Sequence, residues 1–123
     1  MLTERDLLTD IVLYAPESSV WNISSDSWER IPQIFSSFIS NNKIYGWDVI
    51  INNDNRSQLI AIIVRENLPQ KIVHQNVKFN DKLIFESYDQ MTGSYISAFF
   101  PGFDKLILKY QSSDFDVLEL ESE

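Results

Sequence analysis

Apolar side chains follow two rhythms along this chain, and the change falls near Lys43. Before it, Leu7, Leu8, Ile11 and Val12 recur at the three-to-four-residue spacing that places side chains on one helical face. Thr3 followed by Asp6 resembles a capping box with Asp in the usual place of Glu. A first helix is therefore expected from about Thr3 to Tyr14, stopping before Pro16 because the residue preceding proline disfavours helical dihedrals. A second helix, capped by Ser25 or Asp26, would carry Trp28, Ile31, Phe35, Phe38 and Ile39 on one face and end at Asn41 and Asn42. Pro32 falls inside that pattern, so this helix is either kinked or starts later than its cap suggests.

After Lys43 the pattern is that of strands. YGWDVIIN and QLIAIIVRE flank the polar residues 53–57 and predict a hairpin, in which Ile60 to Val64 are apolar on both faces. KIVHQNVKF alternates, with Val73, Val77 and Phe79 on one side and His74, Asn76 and Lys78 on the other. DKLIFESYDQ and GSYISAFF, joined through Met91 and Thr92, predict a second hairpin. Pro101 and Gly102 suit the centre of a type II turn leading into KLILKY, and FDVLEL supplies a final strand. The expected architecture is α+β, a single domain over residues 1–123 in which residues 1–42 are helical and residues 43–123 form the sheet. Two N-terminal helices would pack on one curled, mainly antiparallel sheet of five to seven strands. An NTF2-like cone is the alternative, although the helix such cones insert among their strands is not evident.

Composition narrows the function. A length of 123 residues with 44% hydrophobic residues suits one globular core. The acidic start lacks a secretory signal, and no apolar run approaches the roughly 20 residues of a membrane span, so a cytoplasmic location without membrane binding is expected. The absence of Cys agrees with a reducing compartment and removes thiolate chemistry. The net charge is -8, and its distribution is uneven. Residues 1–42 hold six acids and two bases, 43–109 seven acids and eight bases, and 110–123 five acids and no base. Such a chain repels phosphate backbones, so direct nucleic-acid binding is not expected.

Candidate chemistry is sparse. The run Asn52 to Asn55 offers oxygen ligands, but in calcium-loop register the sixth position is Gln58 instead of Gly and the twelfth Val64 instead of Glu, so a hairpin loop is expected. His74 is the one histidine, which leaves no two-His metal site within the chain and reads as an exposed strand residue. Carboxylate pairs such as Glu86 with Asp89, or Asp114 with Asp116, offer acid and base for glycosidase-type chemistry, but any acidic protein has such pairs. Three glycines in no phosphate-loop arrangement indicate no nucleotide site. Phe99, Phe100 and Phe103 around the Pro-Gly turn form either a sticky tip or a piece of the core. Trp47 and Asp48 are strand neighbours and must face opposite ways. No enzyme, cofactor or metal is expected.

The acidic ending DFDVLELESE carries the clearest signal. Phe115 and Val117 alternate with Asp114 and Asp116, whereas Leu118 and Leu120 fall on the Asp side. A β-bulge between Val117 and Leu118 would restore one apolar face and gather Asp114, Asp116, Glu119 and Glu121 on the outer one. Such an edge strand either meets a cationic partner or protects the sheet from aggregation.

In its size, its lack of Cys and its acidic termini the chain resembles the immunity proteins of bacterial toxin systems, including contact-dependent inhibition. That resemblance is one of class and rests on no motif. It implies a cytoplasmic, bacterial inhibitor that neutralises one cognate toxin by protein–protein interaction, the toxin being commonly a basic ribonuclease or other nuclease. The partner-binding residues would be Asp114, Asp116, Glu119 and Glu121, helped by Glu86 and Asp89, in a monomer or weak dimer. The alternative function is a small NTF2-like ligand-binding protein or enzyme with a pocket inside the curled sheet. A third is an adaptor that mimics DNA charge.

Overall fold

Thr3 opens the first helix by the reciprocal capping that its spacing from Asp6 predicts. In the computed structural model, which describes residues 1–25, 30–43 and 46–121, the Thr3 hydroxyl accepts from the Asp6 amide at 3.3 Å and the Asp6 carboxylate accepts from the Thr3 amide at 2.8 Å. Two of the otherwise unpaired donors of the helix start are satisfied in this way. Helix α1 spans Glu4–Tyr14 and buries Leu7, Leu8, Ile11 and Val12.

The remaining elements are β1 (Ser19–Ser24), α2 (Arg30–Phe35), β2 (Ile39–Lys43), β3 (Gly46–Ile51), α3 (Arg56–Glu66), β4 (His74–Phe79), β5 (Lys82–Tyr88), β6 (Gly93–Ile96), α4 (Phe103–Tyr110) and β7 (Asp116–Glu119). The strands form one seven-stranded sheet in the order β2-β3-β1-β4-β5-β6-β7. Neighbours are antiparallel except β6 and β7, which run parallel because α4 carries the chain back between them. The fold is thus α+β with one mixed sheet and four helices among the described residues.

Helices and strands are interspersed, which corrects the expectation of two N-terminal helices followed by a sheet. QLIAIIVRE lies in α3, where Leu59, Ile62 and Ile63 are buried at helical spacing. KLILKY lies in α4, which buries Leu106 and Tyr110 one turn apart. The expected Pro-Gly turn is present, with Gly102 at φ 77° and the Phe103 amide donating to the Phe100 carbonyl at 3.0 Å, but it starts a helix. SVWNIS, between the first two helices, is the strand β1 near the middle of the sheet. The second helix ends at Phe35, and Ile39, Asn41 and Asn42 belong to β2. Its expected cap Asp26 and its Trp28 lie outside the described residues, whereas the Ser25 hydroxyl donates to the Lys71 carbonyl at 2.6 Å.

One face of the sheet supplies the core. Trp21 and Ile23 on β1 stand opposite Val49 and Trp47 on β3, and the same side continues through Val77, Phe85 and Ile96. These residues, with buried side chains from all four helices, form a single core cluster. Trp21 meets Phe35 of α2 edge-on with ring centroids 5.4 Å apart. Burying even one such aromatic side chain removes about 150–250 Å² from water, so this layer dominates the stability.

Candidate functional site

The opposite face of the sheet carries a transverse row fixed by strand register: Asn41, Asp48, Asn22, Asn76, Glu86, Tyr95 and Leu118, one residue from each strand. In the half towards β2 the Asn22 amide donates to the buried Asp48 carboxylate at 2.8 Å. As the sequence requires, Asp48 and the core residue Trp47 face opposite ways.

The half towards β7 is open. Tyr88 is 43% exposed and Leu118 52%. Tyr88 meets Tyr95 at 6.3 Å and His74 at 5.5 Å between ring centroids, both edge-on. The neighbouring Glu86 carboxylate first, and burial second, hold the Tyr88 phenol above its ordinary value of 10.0. His74 is exposed on β4, and its Nδ1 accepts from the Asp89 amide at 3.3 Å. Asp89 begins a tight turn in which Asp89, Gln90 and Met91 all have positive φ, between 51° and 66°. The turn is held by the Gln90 amide donating to the Val73 carbonyl at 3.0 Å and by burial of Met91.

A bulge shapes the neighbouring cleft. Between β4 and β5 the pairing passes from Val77 with Phe85 to Lys78 with Leu83, so Ile84 is the extra residue. Strict alternation would put Leu83 and Glu86 on opposite faces; the bulge brings them to the same one. They line a cleft of about 810 Å³ together with Asp81, Lys82, Ser97, Phe99, Leu120 and Glu121. Phe99 is 70% exposed, and the Lys82 ammonium lies 4.9 Å from its ring centroid.

Of the residues singled out in the sequence, Glu86 and Glu121 line this one cleft. Asp89 lies in the turn after β5, and Asp114 in the bend before β7. The β7 register with β6 runs unbroken from Asp116 to Glu119, so no bulge separates Val117 from Leu118. Asp116 therefore shares the open face with Leu118, while Glu119 points to the other side and lines a separate hollow with Phe100, Phe103 and Lys105. Leu118 is tolerated outside because β7 is an edge strand whose inward residue, Val117, already packs against the core. The three phenylalanines divide: Phe100 is buried, Phe103 half-buried and Phe99 exposed.

Tyr88, Tyr95 and Leu118 were not among the residues expected from sequence. The two-residue step from Glu86 to Tyr88 does place both on one strand face, and that was the signal the sequence offered. Among the described residues no group of three or more His, Asp or Glu side chains is placed to hold a metal ion, and no helix is long and apolar enough to cross a membrane. Comparison with protein-family models, curated proteins and solved structures gave no match to this chain.

Proposed function

We propose that the protein is an immunity protein or antitoxin-like inhibitor that binds and neutralises a cognate basic toxin, of the nuclease class, through the open half of its sheet and the acidic surface beside it. The observation that carries this reading is the grouping of Tyr88, Tyr95 and Leu118 beside Glu86 and Asp116. An exposed tyrosine, a half-buried one and an exposed leucine supply compact apolar anchors, and flanking carboxylates select a cationic surface. With a net charge of -8, the protein would dock as a competitor of phosphate on such a toxin and not as a ligand of nucleic acid itself.

The reading of a pocket behind the apolar run Ile60 to Val64 loses its support, because that run lies in α3 and Ile62 and Ile63 are spent in the core. Affinity capture from the native host with mass spectrometry tests the inhibitor reading. A stoichiometric partner of high pI is expected, with capture reduced at least about tenfold by the Y88A/Y95A/L118A variant, as for loss of interface hot spots. A captured partner that is acidic, or whose binding is indifferent to all three substitutions, would refute it.

A further inference from the structure

The cleft between the β4–β5 turn and the end of β7 has the lining of a receptor for one kind of side chain. Leu83, Phe99 and Leu120 give it apolar walls, and Asp81, Glu86 and Glu121 bring carboxylates from three separate segments. Its one cation, Lys82, lies over the Phe99 ring, and no ion pair joins any of the three acids to a base among the described residues. Lys78 stands opposite Leu83 on β4 but does not belong to the lining. Tyr88, two residues on along β5, shares the strand face of Glu86. An ionised carboxylate has about four acceptor positions, enough to receive a two-pronged donor.

Arginine matches these features better than lysine does. Its aliphatic stem suits a wall of Leu83 and Leu120, its planar fork suits a carboxylate such as that of Glu86, and its face suits an exposed phenylalanine ring. A lysine offers a point charge, which Lys82 already places over that ring. Resting on the inhibitor reading, we propose that the cleft receives an arginine side chain projecting from the basic protein partner, with Glu86 and Glu121 as its carboxylate contacts and Phe99 as its stacking surface.

The test is a heteronuclear NMR titration of the full chain with a blocked glycine–arginine–glycine tripeptide, its lysine counterpart serving as control. The expected result is a saturable set of shifts centred on Leu83, Phe99 and Leu120, weakened about tenfold by E86Q/E121Q and unchanged by D114N/D116N. The lysine peptide should bind several-fold more weakly. Resonances away from the cleft report whether E86Q/E121Q remains folded. Shifts that fail to saturate, that spread over the surface, or that respond equally to lysine or to the tail substitutions would overturn the proposal. The two readings fail separately. A captured toxin whose binding ignores E86Q/E121Q removes the arginine site and leaves the inhibitor, whereas peptide binding in a chain with no capturable partner upholds the cleft's chemistry and removes the inhibitor.

Discussion

Asp10 sits on the buried side of α1 and accepts from two groups of α4, the Lys109 ammonium at 2.8 Å and the Tyr110 hydroxyl at 2.6 Å. A carboxylate so placed needs such partners, since an unpaired buried charge costs several kcal/mol. Both partners respond. The hydrogen bond to Asp10 is the main cause that raises the Lys109 ammonium above its ordinary 10.5, whereas burial first and the same carboxylate second raise the Tyr110 phenol. A group whose folded value is raised adds stability that is complete below its unfolded value and is lost as pH climbs through the folded one. The joint should therefore hold at neutral pH and weaken above about pH 10. D10N should cost about 2 kcal/mol at neutral pH, a figure kept low because Lys109 is 46% exposed in its side chain. It should also flatten the alkaline loss, since Lys109 then has no carboxylate to lose. Urea denaturation at neutral pH and at about pH 11 measures both effects, and an unchanged alkaline slope in D10N would show that Lys109 gains nothing from Asp10.

Where α1 ends and α3 begins, one side chain joins two elements. The Arg56 guanidinium donates to the carbonyls of Val12 at 2.7 Å, Leu13 at 3.2 Å and Ala15 at 2.7 Å, satisfying acceptors that the end of α1 leaves unpaired. Asn52 and Asn55 set up this approach, the Asn52 carboxamide accepting from the Asp54 and Asn55 amides and the Asn55 carboxamide from the Asn52 amide. R56A should cost roughly 1.5–3 kcal/mol in denaturant unfolding, because the lost bonds are charge-assisted, and R56K should recover only a fraction of it. The same elements show what was legible in sequence. Helix α1 was, since its cap and its apolar spacing agree. Helix α3 was not, because five apolar residues in a row satisfy strand and helix alike, and packing of Leu59, Ile62 and Ile63 decides. Strand β1 was hidden between two helices and owes its place to pairing with β3 and β4, which come later in the chain. In the site, Glu86 and Glu121 were legible as acids, but their meeting depends on the parallel pairing of β7 with β6, and Leu83 joins Glu86 only through the Ile84 bulge. Neither device leaves a local pattern in the sequence.

For the whole molecule, charge and contact lie side by side but act at different stages of binding, and this gives the inhibitor reading a kinetic signature. Asp114, Asp116 and Glu119 lie in or just before the edge strand, with side chains on more than one side of it, and are all exposed. Exposed charges of this kind act over about 8 Å at physiological salt and guide encounter more than they hold a complex. Tyr88, Tyr95 and Leu118 form a contiguous patch that contact would desolvate, so they should govern dissociation. D114N/D116N/E119Q, which leaves the three carboxylates of the cleft in place, should slow association with the captured toxin about tenfold at low salt, flatten its salt dependence and change dissociation little. Y88A/Y95A should do the reverse, speeding dissociation with association nearly unchanged. Stopped-flow association and surface-plasmon dissociation at two ionic strengths measure the split. If the triple variant associates at the wild-type rate with the wild-type salt slope, the acids of β7 serve the sheet edge, where carboxylates discourage pairing with another strand, and recognition belongs to the tyrosine face alone.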